Sequence, residues 1–193
     1  METTTFVSIF LAALLTDNFV LSRFLGICPF LGVSKKLDTA VGMSAAVTFV
    51  MLIATMVTWP VQTFILEPND LGYMQTLMFV LIMATLVQFI SIFLQKFMVG
   101  LYESLGVFLP LMTTNCAILG VLILNIGESY TFLQSIINSL GAGLGFMLAM
   151  VLFAGVRKRL ETCPVPKSLE GLPITLIAAA FIAIAFLGFS GLA

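Results

Sequence analysis

Apolar residues occur along this chain in long unbroken runs, not in the alternation of a half-buried strand. Six stretches, at about 5–33, 39–66, 73–95, 99–124, 130–156 and 172–192, carry almost no charge. Each can cross a hydrocarbon layer of roughly 30 Å, which takes about 20 residues as a helix. In lipid every backbone N–H and C=O must be satisfied within its own segment, so runs of this length read as helices. The connections "SKKLD", "EPND", "QKF" and "NIGES" are short, and only "RKRLETCPVPKSLEGLP" is longer. No stretch has the composition of a soluble domain or a linker. The pattern predicts an all-α membrane protein of six transmembrane helices, with residues 1–193 forming a single transmembrane domain.

Composition agrees. The chain is 61% hydrophobic and 9% charged, with no histidine, whereas soluble domains carry about 25% charged residues. The opening "METTTFVSIFLAALLTDNF" lacks the basic start and small-residue cleavage site of a signal peptide, and is read as a retained first span. Charge position says more than the net charge of −1. Lys35 and Lys36 lie in the first connection, Lys96 in the third, and Arg157, Lys158, Arg159 and Lys167 in the fifth. The second and fourth hold only Glu67, Asp70 and Glu128. The positive-inside rule then makes the odd connections cytoplasmic and places both termini on the outer side. Trp59, Tyr73 and Tyr130 fall near the outer interface and Tyr102 near the inner one, as an aromatic belt would. No basic patch or motif points to a nucleic-acid partner; the lipid bilayer is the expected surrounding.

An internal echo organises the spans. "CPFLGV" at 28–33 matches "CAILGV" at 116–121 in four of six positions, an offset of 88 residues. The same offset lays 39–66 on 127–154 and brings 73–95 near the sixth span. Each half (about 1–96 and about 97–193) therefore carries three spans. An odd number inverts the polarity of the second half, so the halves form two inverted three-helix repeats, a design that places working sites near the midplane on interrupted helices. The first and fourth spans are the expected broken pair. The first contains Gly26 and Pro29 beside Cys28, and its 29 residues would measure about 43 Å as one helix. The fourth contains Gly106, Pro110 and "TTN" just before Cys116.

Two readings stand for Cys28 and Cys116. Each can be a small buried hydrophobe, as isolated membrane cysteines commonly are. As a symmetric pair beside helix breakers, they can instead supply half of the four ligands of a [2Fe–2S] cluster, with the other two coming from a different polypeptide. Cys163 lies in the fifth connection, away from the midplane, and is read as a loop cysteine without a role. Asp17, Asn18 and Arg23 are polar groups within the first span. They are either functional, as intramembrane ionisable groups often are, or part of a wet re-entrant segment or an ion pair. Thr113, Thr114 and Asn115 either cap a helix end or donate hydrogen bonds toward cysteine sulfur. Asp17, Asn18, Thr114 and Asn115 are thus candidates for a supporting shell or an ion path. Gly141, Gly143 and Gly145 in "GAGLGF" read as a close-packing stripe.

"FLGICPFLGVSKKLDTA", "LGVFLPLMTTNCAILGV", "VLFAGVRKRL" and the ending "AFLGFSGL" resemble a family of integral membrane proteins. That family is shared by the Rnf ion-translocating oxidoreductases and the sodium-pumping NADH:quinone oxidoreductases. The likeness covers essentially the whole chain. "CPFLGVSKK" is closer to the A-type branch of Rnf than to the E-type branch of the sodium-pumping enzyme, where threonine and alanine are expected in place of Pro29 and Gly32. The other branch of the family departs after the second cysteine, where this chain reads "NCAILGV".

The resemblance implies one component of an iron–sulfur, ion-translocating ferredoxin:NAD⁺ oxidoreductase in the bacterial inner membrane. It implies pairing with a homologous Rnf E-type subunit of opposite topology. It also implies a [2Fe–2S] cluster between the two, to which Cys28 and Cys116 contribute, and electron transfer coupled to transport of Na⁺ or H⁺. Other Rnf subunits (of the B, C, D and G types) would carry the flavins and remaining clusters. This chain has no nicotinamide or flavin motif and is expected to bind neither. Outside this family, an inverted-repeat secondary transporter would use Asp17, Asn18 and Asn115 to bind a solute, and a structural anchor would bind nothing. A coloured complex whose iron and sulfide track this chain separates the first reading from both.

Overall fold

Helix α1 (Glu2–Leu11) does not carry the first span across. It widens into a π-helical turn at Ala12–Thr16, and the chain then leaves helical geometry altogether. From Asn18 the backbone runs through turns held by Leu21 and Ser22 N–H donating to the Asn18 carbonyl (3.2 and 2.8 Å) and Leu25 N–H to that of Phe19 (2.9 Å). Helical geometry resumes at Ile27 and Cys28. The span is therefore interrupted, as expected, but the interruption begins about ten residues before Pro29, and Gly26 marks its far end. Gly26 has φ +88°, and a Cβ there would stand 3.0 Å from the Phe146 ring and 3.1 Å from Ala117 Cβ. Only glycine combines that left-handed backbone with that close approach.

The computed structural model describes residues 2–16, 18–28, 32, 37–69, 72–97, 115–160, 162–163, 166 and 171–188; among them the fold is helical, without strands. After the interrupted segment come α2 (Leu37–Val61), α3 (Gln75–Phe97), α4 (Cys116–Gly127), α5 (Phe132–Leu160) and α6 (Leu172–Leu187). The continuous helical stretches at Leu37–Leu66, Gly72–Ile92 and Phe132–Leu160 are long and apolar enough to cross a membrane; α4 and α6 are shorter apolar helices. Pro60, near the end of α2, is followed by a π-helical turn at Gln62–Leu66. Proline removes a backbone donor, and a wider turn accommodates the loss.

The centre of the molecule is the pair α2 and α5, packed antiparallel. Along α2, Thr48 meets Gly143, Thr55 meets Ser139 and Trp59 meets Tyr130 and Phe132. Rising numbers on one helix thus meet falling numbers on the other. The α2 start and the α5 end with Arg157, Lys158 and Arg159 consequently share one side of the bundle. Trp59 and Tyr130 share the other, joined by the indole N–H donating to the Tyr130 carbonyl at 3.0 Å. Cations and aromatics thus lie on opposite sides of the bundle. Tyr102, Lys35, Lys36, Asp70 and Lys167 lie outside the described residues.

Small residues let this core close. A Cβ at Gly143 would stand 2.5 Å from Thr48 Cγ2, one at Gly141 2.9 Å from the Phe10 carbonyl oxygen, and one at Gly145 3.0 Å from that of Leu14. Gly143 therefore admits α2, while Gly141 and Gly145 admit α1 and its π-helical turn. Within lipid no hydrophobic gain drives helices together, so such backbone approach is the main source of packing energy. By contrast α3 buries a single stripe (Phe79, Met83, Val87), and α6 buries little beyond Thr175 and Ala183. Both leave apolar faces outward, among them Leu81, Phe89, Leu176 and Phe181.

A neutral polar cluster ties α2, α4 and α5. Asn138 Nδ2 donates to Asn125 Oδ1 (2.7 Å), Asn125 Nδ2 to Ser139 Oγ (3.3 Å) and the Ser135 carbonyl (3.4 Å), and the Ser139 and Thr55 hydroxyls are 2.7 Å apart. Asn125→Ala leaves the buried Asn138 amide without its acceptor. A loss of about 1–3 kcal/mol is expected, read from the unfolding midpoint of the detergent-solubilised chain. An unchanged midpoint would show the cluster to be energetically idle.

Candidate functional site

Helix α4 begins at Cys116, and its start is capped. The Asn115 backbone is extended (φ −69°, ψ 109°), and its side-chain oxygen accepts from Ala117 N–H at 3.0 Å. Capping satisfies one of the N–H groups that a helix start leaves without partners. Cys116 is half-buried, and its Sγ accepts from Gly26 N–H at 2.9 Å. That contact joins points 90 residues apart in the chain. It seats the end of the interrupted segment, two residues before Cys28, directly on the start of α4.

Asn18 holds the other end of that segment. It is fully buried, and its Nδ2 donates to the Gly145 carbonyl on α5 (2.8 Å) and to that of Leu14 (3.4 Å). Its Oδ1 accepts from Val20 N–H at 3.2 Å. An unbonded amide in an apolar setting costs several kcal/mol, so these bonds bind the interruption to α5. Leu25 closes the middle, lying over Gly120, where a Cβ would stand 2.6 Å from its Cδ1. The Arg23 guanidinium carbon lies 5.8 Å from the Phe19 ring centroid.

The structure thus brings the Cys28 and Cys116 segments together through Gly26, Ala117 and Phe146, with Cys28 exposed on the chain's surface. Cys163 is elsewhere, in the turn after α5. Phe146, which touches Gly26, lies about 20 Å along α5 from its end at Leu160, at 1.5 Å per residue. Asn18 and Asn115 occupy the site as structural anchors of its two ends. Asp17, Pro29, Gly106, Pro110, Thr113 and Thr114 lie outside the described residues. Among those described, no three His, Cys, Asp or Glu side chains cluster in a way that could hold a metal. The sequence reading missed Gly26 N–H as a donor to sulfur, and it missed the Asn125–Asn138–Ser139–Thr55 cluster. The second had a signal: two asparagines in apolar spans, 13 residues apart.

The model of Rnf-Nqr subunits, described as membrane proteins, matches residues 6–193. The chain belongs to the Rnf-Nqr family. Within it, the chain is similar to the A subunit of the Na(+)-translocating ferredoxin:NAD(+) oxidoreductase complex of Acetobacterium woodii, with 58% identity over 97% of this chain and 98% of the relative. It is similar also to the A subunits of the ion-translocating oxidoreductase complexes of Syntrophotalea carbinolica, at 54% over 95% of each chain, and Proteus mirabilis, at 52% over 98% of each. The Gly26–Cys116 contact described above joins the two segments that carry Cys28 and Cys116.

Proposed function

We propose that this chain is the A-type membrane subunit of an ion-translocating ferredoxin:NAD⁺ oxidoreductase. In this reading Cys28 and Cys116 supply two of the four thiolates of a [2Fe–2S] cluster shared with a homologous, oppositely oriented E-type subunit. The remaining Rnf subunits carry the other redox groups. The observation that supports it is the 2.9 Å bond from Gly26 N–H to Cys116 Sγ, which draws the two cysteine segments together while Cys28 stays on the surface. The donor set suits such a group: two soft thiolates, one exposed and one bordered by a backbone donor, fit half of a four-sulfur shell. Such a cluster supplies one-electron redox chemistry within the membrane.

The chain's own residues orient that half-site. Asn18 ties the interrupted segment to α5, Gly26 lets it touch α4, and the Asn115 cap fixes where α4 begins. In this reading the six spans form two inverted repeats in the bacterial inner membrane, with both termini outside. Charge gained at the cysteines lies in a core without water to screen it, so a cation drawn toward it offsets the cost. That links electron transfer to movement of Na⁺ or H⁺. A solute carrier is the weaker reading, because the Asn18 carboxamide is already bonded at both ends.

Cys28→Ser tests the reading. The purified complex is expected to keep all its subunits while losing the paramagnetic signal of the membrane cluster and the matching iron and acid-labile sulfide. A complex that keeps them overturns the ligand assignment.

A further inference from the structure

Three buried side-chain polar atoms among the described residues have no hydrogen-bond partner: Gln62 Oε1, Ser135 Oγ and Asn115 Nδ2. The last is a nitrogen donor on the residue before Cys116. Its placement does not come from an ambiguous amide, since Oδ1 is identified by the bond it accepts from Ala117 N–H. Asn115 is 3% exposed. Leaving a buried donor unsatisfied costs about 1–3 kcal/mol. Capping alone does not explain this choice, because serine or aspartate caps as well without carrying an amide.

The geometry around Asn115 places its side chain beside the sulfur contact. Its carboxamide oxygen is 3.5 Å from where a Gly26 Cβ would stand, and Gly26 N–H is bonded to Cys116 Sγ. The side chain therefore borders the same contact as the sulfur. The first backbone N–H groups of α4 add positive character there. A buried donor without an acceptor, on the residue before a cysteine whose sulfur already accepts from Gly26 N–H, suits an anionic acceptor such as thiolate or inorganic sulfide.

We propose that Asn115 Nδ2 and Gly26 N–H form a donor pair toward the sulfurs of the redox group held at Cys116, and that the pair raises its reduction potential. This rests on the cluster reading above. Reduction adds negative charge, so the donors stabilise the reduced form more than the oxidised form. Asn115 is accordingly a tuning residue, not a ligand.

Potentiometric titration of the paramagnetic signal in the purified complex tests the pair, using Asn115→Ser and Asn115→Asp. Both keep the cap acceptor, and the unfolding midpoint checks that they do. Asn115→Ser is expected to lower the reduced-to-oxidised ratio at the parent midpoint about tenfold, equal to about 59 mV for a one-electron couple. Asn115→Asp, which sets a carboxylate against the sulfurs, is expected to lower it further. An unchanged potential in Asn115→Ser overturns the proposal and leaves Asn115 as a cap. A signal lost in both variants overturns it too, because the residue then serves to hold the group in place. Neither outcome touches the cluster reading, which falls if the Cys28 or the Cys116 variants keep the signal.

Discussion

On the cluster reading proposed above, Cys116→Ser and Cys116→Ala are both expected to abolish the [2Fe–2S] signal, yet to differ in stability. Serine retains an oxygen that can accept from Gly26 N–H, so the interrupted segment stays seated on α4 and the complex assembles. Alanine leaves that N–H without an acceptor at a buried glycine. The difference between the two variants should be about 1–3 kcal/mol, the cost of an unsatisfied buried donor. Signal strength and unfolding midpoint, measured on the same preparations, separate the two roles of the sulfur. A signal surviving in the alanine variant would show that Cys116 is not a ligand. Equal midpoints would show that Gly26 N–H is satisfied elsewhere and that the contact is not structural.

Gly145→Val should be strongly disruptive. A Cβ there stands 3.0 and 3.1 Å from the carbonyl oxygens of Leu14 and Ala13 and 3.2 Å from Asn18 Nδ2. These are backbone atoms and an anchored amide, not the free end of a flexible side chain. Overpacking typically costs about 1–3 kcal/mol, and here it also stretches the Asn18–Gly145 bond that holds the interruption. The expected result is a chain that inserts but fails to accumulate in the complex, with the [2Fe–2S] signal lost in proportion. Gly155→Ala is the control. Nothing lies within 4 Å of a Cβ there, so removing a helical glycine should be neutral or stabilising by up to about 1 kcal/mol. Normal assembly of Gly145→Val would mean that α1 is not pinned where the structure places it.

Legibility differed sharply between elements. The apolar runs at 39–66, 73–95 and 130–156 became α2, α3 and α5 with small shifts at their ends, because burial in lipid compels any such run to be helical. The "GAGLGF" stripe read correctly as close packing, although its partners, α1 at Gly141 and Gly145 and α2 at Gly143, did not. The 88-residue echo singled out Cys28 and Cys116, and the "TTNC" string singled out Asn115. The break in the first span was anticipated at Gly26, which lies at the far end of the interruption, but its start was not. Gly26 and Pro29 are visible breakers, whereas the actual departure from helix follows Thr16, in "LLTDNF", which has neither glycine nor proline.

That departure is a tertiary decision. Asn18 leaves the helix to bond the Gly145 carbonyl, 127 residues away, a partner no local window contains. The same holds for the bond from Gly26 to Cys116 and for the hydroxyl pair of Thr55 and Ser139. The sequence by itself determined what depends on each residue and its near neighbours: which apolar stretches are helical, and which helix ends carry cations and aromatics. Only the folded chain decided where the first span opens and which backbone donor meets which sulfur. The physical reason is that backbone groups freed inside a membrane must find acceptors, and those acceptors lie on other helices.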